Sequence, residues 1–459
     1  MSWSNWVQAL SNSGSWEKFR SKRRNTNILM ISGCIFLFLI STYLYTPNAF
    51  HFDLIIVNEI RLGKPTQLVG GVPGFYVFQD LWYRNGTFYA FHENVTDVPL
   101  PEKDKIMSGP HTIMTRPLST QEELMDSQIG QIRYFNGQTI FLNDGADQYN
   151  WSYLNWFYHL AAEALLGGIV SLGLSNDFLE EGVPRLMIPW EGNWKDGYGI
   201  NDGMVKGIFG KDLVERNQWE MWSISGEWIG FEKMVIVDRY ASHRHNPIAN
   251  EWNKMSLPIF EELPSPPPPF FAPYRQNLLQ NLHLSVSTAR GRVGKALNDV
   301  PKIVYLDRQE TSRKLSDEDN DGILGVLRDL EKDGKAHVGV PHLSEMGFKN
   351  QVKAIKDADI IIGIHGNGLT DQMWMPEGGM VIELFIPDAF LRDYQVLSQA
   401  LGHRHIAIWN DRILPPSEWK DIDGQMNPTL MHDGTLIPLN TPFIQTLLED
   451  LIVEMNQHL

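Results

Sequence analysis

The chain has 459 residues, a formal net charge of -16 and a single cysteine, Cys34. The length exceeds the roughly 250–300 residues at which one core stops growing, so two domains are expected. The acidic balance argues against nucleic acid as a partner, because phosphate backbones are held by an excess of Lys and Arg, and one cysteine excludes an intrachain disulfide.

The first predicted element is a membrane anchor. Residues 28–45, "ILMISGCIFLFLISTYLY", carry no charge and would span about 27 Å as a helix, enough for a thin bilayer. Lys18, Arg20, Lys22, Arg23 and Arg24 precede them and no basic residue follows until Arg61, which keeps residues 1–27 cytosolic and sends the rest across. Three Asn-x-Ser/Thr triplets, at Asn85, Asn94 and Asn150, lie beyond the anchor, where such sites can be glycosylated. The expectation is a single-pass type II protein with its mass in the lumen.

Residues 46–67 read as a stem and 68–261 as a first lobe. Aromatic alternation around Asn85-Gly86 predicts a β-hairpin over 75–91. Residues 149–173 predict a helix stopped or bent at Gly167-Gly168, and 233–239 a buried strand. Four consecutive prolines in "ELPSPPPPFFAPYR" (262–275) predict an extended interlobe linker.

Residues 276–435 alternate strand and helix. Strands are predicted at 302–307, 336–340, 359–364 and 380–385, and helices at 322–334 and through Phe348, Val352 and Ile355. The alternation implies a parallel, doubly wound sheet. A final helix opens at Thr441-Pro442, with an apolar stripe at Phe443, Leu447, Leu451 and Val453 in the closing segment 436–459.

Several constellations carry chemistry. His365-Gly366-Asn367-Gly368 falls at the carboxyl end of a predicted strand and before a helix starting near Leu369. That is where α/β sheets bind ligands, and glycines there admit a phosphate to the backbone, or simply satisfy a tight turn. Glu383 sits inside an apolar strand, which calls for a partner, either a ribose or a structural ion pair. Arg308 and Arg313 follow another strand and suit a diphosphate, or are surface residues. "DEDNDG" imitates a calcium loop, but Arg328 stands where the bidentate Glu belongs, so it reads as an acidic helix start. His159 and Glu163, at i and i+4, are a general base with its orienting partner or a structural pair. "SHRH" (242–245) and "HRH" (403–405) read as loop polarity, and no metal is expected. Trp190, Trp194, Trp219, Trp222 and Trp228 read mainly as core.

In patches from about Trp151 to Trp409, "FYHLAAEALLG", "VDRYASHRH", "YLDRQETSRKL", "NQVKAIKDADIIIGIHGNGLTDQMWMPEGGMVIELF" and "DYQVLSQALGHRHIAIWND" together resemble glycosyltransferase family 61, particularly its fungal members. The resemblance implies an α/β protein of the GT-B type, with two Rossmann-like lobes. It implies an inverting, metal-independent enzyme that moves xylose or N-acetylglucosamine from a UDP-sugar to a glycan or glycoprotein hydroxyl, with no cofactor. Donor contacts would come from Arg308, Arg313, His365, Gly366, Asn367, Gly368, Leu369 and Glu383. Glu163 would be the base, oriented by His159, or the two would exchange roles. A Golgi or endoplasmic reticulum membrane is the implied location, and xylose on a fungal glycan in the Golgi the implied setting. A non-catalytic lumenal scaffold or glycan-binding protein keeping the fold is the competing reading.

Overall fold

In the computed structural model the described residues are 62–93, 100–109, 111–126, 132–143, 153–175, 182–190, 194–245, 257–264, 270–286, 300–419 and 425–457. The anchor at 28–45 and the sequons at Asn94 and Asn150 lie outside them. Among the described residues no helix is long and apolar enough to cross a membrane.

Two sheets organise the fold. The first comprises β1 (Gln67–Val72), β2 (Phe75–Arg84), β3 (Thr87–His92), β4 (Thr112–Pro117), β5 (Ile132–Leu142), β6 (Arg185–Ile188), β7 (Leu213–Glu215) and β8 (Trp228–Val237). Their order is β4-β3-β2-β8-β5-β6-β7, with β1 also on β2. The half from β8 through β7 is parallel, whereas β1, β3 and β8 run antiparallel to β2. The expected first Rossmann-like lobe is therefore corrected to a mixed sheet. The reason is the hairpin at Asn85-Gly86: both residues take positive φ, 47° and 80°, the turn that joins antiparallel neighbours in two residues.

The second sheet comprises β9 (Lys302–Leu306), β10 (His337–Gly339), β11 (Ile360–Ile364), β12 (Met380–Phe385), β14 (Arg404–Trp409) and β15 (Arg412–Leu414), in the order β10-β9-β11-β12-β14-β15. All neighbours are parallel except β15, as the strand–helix alternation requires. A small ribbon pairs β13 (Phe390–Leu391) with β16 (Gln425–Met426). Every residue of β11 and β12 is buried. Each Ile buried there contributes about 1.5–3 kcal/mol of transfer free energy, which is why these runs read as covered on both faces.

Three local expectations change. The helix after Phe157 does not break at Gly167-Gly168; it runs as a π-helix over His159–Leu165 and as an α-helix over Leu166–Leu172. A Cβ at Gly167 would meet Ile259 and Phe75 within 2.7 Å, and one at Gly168 would meet Val237 at 3.0 Å, so these glycines let the helix approach the sheet. The linker 262–275 is bounded by helices, Leu257–Glu262 and Ala272–Asn281; the four prolines lie outside the described residues. Helix Ala272–Asn281 ties the two halves together. Asn277 and Asn281 donate to Ile208 O and Gly207 O of the first lobe, while Arg275 donates to Trp374 O and Lys356 O of the second. The last helix, Thr441–Gln457, buries Ile444, Leu448, Leu451 and Ile452, whereas Val453 is half exposed. Its apolar face is thus rotated from the predicted stripe because it packs on helix Asp317–Lys332, where Thr441 closes over Gly322. The acidic stretch forms the start of Asp317–Lys332, capped by the Ser316 hydroxyl accepting from Asp319 N at 3.0 Å.

Candidate active site

The π-helix brings His159 and Glu163 together. His159 Nδ1 lies 2.7 Å from Glu163 Oε2, and Arg239, the residue after Asp238 at the exit of β8, donates Nη2 to the same oxygen at 2.6 Å. Glu163 is fully buried and the Arg239 side chain nearly so, whereas the His159 side chain keeps 14 % of its surface. Burial opposes the Glu163 charge, but the adjacent Arg239 guanidinium and His159 outweigh it and hold the carboxyl at about 2. An ionised carboxylate only accepts, so in the short contact Nδ1 of His159 donates to Glu163, and Arg239 Nη2 also lies 3.2 Å from that Nδ1. Tyr153 and Tyr158 pack against the imidazole with ring centres 5.6 and 5.4 Å away. A π-turn inside an otherwise α-helical run is a frequent mark of a functional site.

The second cluster is built on β11, β12 and β14. At the end of β11, His365 Nδ1 lies 2.6 Å from Glu383 Oε1, and His405 Nε2 lies 2.6 Å from Glu383 Oε2. Glu383 is fully buried and both histidines nearly so. Burial pushes His405 down to about 3, so its ring is neutral and Nε2–H donates to the carboxylate. Both Glu383 oxygens are taken by imidazoles and the side chain has no exposed surface, so within the protein it is paired. The loop reading of the two histidine-rich motifs is corrected. His405 belongs to β14, and Ser242–His245 lie on helix Arg239–His245.

Arg308 explains Gly366. Its Nη1 donates to His365 O at 3.0 Å and its Nε to Thr311 Oγ1 at 2.9 Å. Gly366 has φ 152°, and a Cβ there would collide with the Arg308 guanidinium; at Gly368 a Cβ would meet only Leu343 at 3.5 Å and Leu306 at 3.9 Å. What approaches the backbone at Gly366 is thus an arginine of the same chain. Asn367 is committed too, its Oδ1 accepting from Tyr158 N at 3.0 Å across the lobe boundary.

Arg308 follows β9 and His365 follows β11, the adjacent strands between which the sheet order reverses. Open α/β sheets bind ligands in the crevice at that switch point. Burial and the like charge of Arg313 lower Arg308 to about 10, and burial lowers Arg313 as well. The Arg313 guanidinium forms no hydrogen bond or ion pair in its side chain among the described residues. Tyr394 and Asp393, at the start of helix Asp393–Ala400, and His432 complete the surroundings of the two arginines. Asn367–Trp374 forms a short 3-10 helix, so the expected helix begins at Asn367, two residues before Leu369.

The clusters meet. Tyr158 packs edge-on against Tyr394 at 5.2 Å, and Tyr394 against His365 at 5.2 Å. The structure thereby gathers His159, Glu163, Asn367, His365, Gly366 and Glu383 at one lobe boundary, with Arg308 on the far side of Gly366. A cavity of about 710 Å³ opens beside them, lined from the first lobe by Trp156 and Tyr198 and from the second by Glu345, Asn367, Gly368 and Asp371. Asn85 is exposed at its hairpin apex, far in sequence from this boundary. Among the described residues no group of three or more His, Cys, Asp or Glu side chains is arranged to hold a metal ion.

Sequence reasoning passed over Arg239 and Tyr394 and read His405 only as loop polarity. Arg239 and Tyr394 lie in quoted segments, but nothing local distinguishes a buried arginine or tyrosine from an exposed one. His405 was legible in principle, because "RHIAIW" continues the apolar strand pattern.

These features define a two-lobed α/β protein with a cationic switch-point crevice in one lobe and a carboxylate-backed imidazole in the other. Residues 176–382 match the family model Glycosyltransferase 61, which bears out the resemblance read from the sequence and supports a glycosyltransferase. The chain is also similar to the EGF domain-specific O-linked N-acetylglucosamine transferase of Drosophila melanogaster, 32% identical over 179 residues. That alignment covers 38% of this chain and 29% of the relative, so the chain spans under a third of the length of the curated relative it matches.

Proposed function

We propose that the protein is an inverting glycosyltransferase that moves a sugar from a UDP-sugar to a hydroxyl of a glycan or glycoprotein in the secretory pathway. The observation that carries it is the open Arg313 guanidinium beside Arg308 at the switch point, in a chain matching a glycosyltransferase family. Arg313 acts against the charge of Arg308, and a dianion placed between two such cations relieves that repulsion. The donor diphosphate would lie there, and its arginines would counter the charge that builds on departing UDP, without a metal. N-acetylglucosamine is favoured over xylose as the sugar by the name of the relative. A Golgi or endoplasmic reticulum membrane, reached through residues 28–45, is the setting proposed with it.

The base is His159, with Glu163 as the positioning residue, the second of the two assignments open in the sequence. A carboxyl held at about 2 and sealed from solvent is a poor proton acceptor, while the His159 ring keeps exposed surface from which a substrate hydroxyl could be reached. His159 Nε2 takes the acceptor hydroxyl proton as that oxygen bonds to the anomeric carbon. The bond from the anomeric carbon to the UDP oxygen breaks on the opposite face, and UDP leaves with the electron pair. Glu163, kept ionised by Arg239, stabilises the imidazolium that forms.

Calorimetric titration of the full chain with UDP, in EDTA and then with manganese, tests the donor site. Binding in EDTA that Arg313→Ala weakens by about 10–100-fold is expected, the worth of a charge-assisted hydrogen-bond pair. No binding in either buffer, from protein shown to be folded, would instead favour the non-catalytic scaffold or glycan-binding protein.

A further inference from the structure

We propose that the cavity of about 710 Å³ at the lobe boundary is a subsite for a neutral oligosaccharide, with Trp156 and Tyr198 as stacking platforms and Asp371 as the hydroxyl-binding group. This rests on the transferase reading in that the oligosaccharide would be the acceptor. The volume lies within the roughly 300–1,000 Å³ of pockets that enclose small ligands.

Three observations carry it. Trp156 is 57% and Tyr198 85% exposed, in a fold whose other described first-lobe tryptophans are buried or partly so. Two large rings left in water at one cavity are costly unless something covers them, and the C–H faces of pyranose rings do so. The backbone that carries Tyr198 is also held: Asp196 accepts from the Tyr198 and Ile200 backbone N–H groups at 2.7 and 3.0 Å. Asp371 lines the same cavity and is only 2% exposed. Its Oδ1 accepts from Trp374 Nε1 at 3.1 Å, and its Oδ2 has no partner among the described residues. A nearly buried carboxyl with one oxygen open to a cavity awaits a donor, and a sugar hydroxyl is one.

The charges decide against an anion. Asp371, Glu345 and Asp196 line the cavity, and Lys195, the one lysine lining it among the described residues, is committed to Glu215 at 2.9 Å and Asp202 at 3.5 Å. A uronate, a phosphorylated glycan or the nucleotide itself would face carboxyl groups with no free cation. Burial lifts Asp371 to about 7, which lets it serve as donor as well as acceptor near neutral pH.

The test measures binding to the full chain by saturation-transfer NMR, without donor, using mannotriose and chitotriose as neutral probes and sialyllactose as the anionic one. The variants are Trp156→Ala, Tyr198→Ala and Asp371→Asn, and UDP affinity is titrated on each. The expected result is binding of at least one neutral probe, weakened about tenfold or more by each aromatic variant and by Asp371→Asn, with UDP affinity unchanged. Because Asp371 is buried, the two surface aromatics decide the matter if Asp371→Asn does not fold. Neutral probes that fail to bind, that bind the aromatic variants as tightly as the parent, or that bind less tightly than sialyllactose would each overturn the proposal. So would loss of UDP affinity in the aromatic variants, since the cavity would then be the donor's. If UDP binds nowhere while the neutral probes behave as expected, the subsite stands and the transferase reading falls.

Discussion

Two buried glutamates, one in each lobe, hold histidines at nearly the same distance and do different work with them. Glu163 faces a permanent cation, Arg239, and one imidazole that reaches the surface. Glu383 faces two imidazoles, both buried. In the first cluster Arg239 and His159 share one oxygen of Glu163, and the His159 ring keeps part of its surface exposed. In the second, His405 is kept neutral by burial, and the carboxylate fixes the His365 ring whose carbonyl receives Arg308. The same His–Glu pairing leaves one ring partly open in the first cluster and neither in the second, and the proposed base is the open one.

The largest effect separates the two anions. Arg239→Ala leaves Glu163 buried without its cation and is expected to cost about 3–5 kcal/mol in urea unfolding; His405→Asn should cost less, because Glu383 keeps His365. An equal cost would erase the distinction. Next comes the donor turn: Gly366→Ala forces a Cβ into Arg308 at a backbone angle glycine tolerates, and should cost about 1–3 kcal/mol and lower UDP affinity. Gly368→Ala, whose Cβ would make only ordinary van der Waals contacts with Leu343 and Leu306, should leave both near the parent values.

Acid sharpens the comparison further. The folded value for His405, about 3, lies below its ordinary 6.5, so its stabilising contribution is present above pH 6.5 and is lost as pH falls toward about 3. The folded value for Glu163, about 2, lies below its ordinary 4.5, so its contribution is present above pH 4.5 and is lost as pH falls toward about 2. Between pH 6.5 and 4.5 stability should therefore fall less steeply in His405→Asn than in the parent, and Glu163→Gln should leave that slope unchanged. Denaturant midpoints across pH read both. The smallest effect is at the junction: Asn367→Ala removes one hydrogen bond to Tyr158 N and should cost about 1 kcal/mol.

Much of the second lobe was legible because its strands are buried on both faces and separated by amphipathic helices, a pattern that leaves few alternatives. The first lobe was less so. Its sheet mixes directions, and strands as short as Leu213–Glu215 carry no periodic signal. The pairing of His159 with Glu163 followed from spacing alone, but which of them stays open depends on Arg239, 76 residues from Glu163 in sequence. Gly366 shows the same limit: a glycine announces that something comes close, and only the fold shows that Arg308 does. Nothing in the sequence singles out Trp156; its exposure does.

The central claim is that His159 is the base and Glu163 its support. The most direct measurement is UDP release from UDP-N-acetylglucosamine and UDP-xylose in EDTA, with the neutral oligosaccharides as acceptors, by the full chain and by His159→Ala and Glu163→Gln. The expected result is release by the parent from at least one donor, lowered about 10²–10⁴-fold in His159→Ala with UDP affinity intact, and lowered less in Glu163→Gln. Full turnover in His159→Ala, or a greater loss in a folded Glu163→Gln than in His159→Ala, would contradict it.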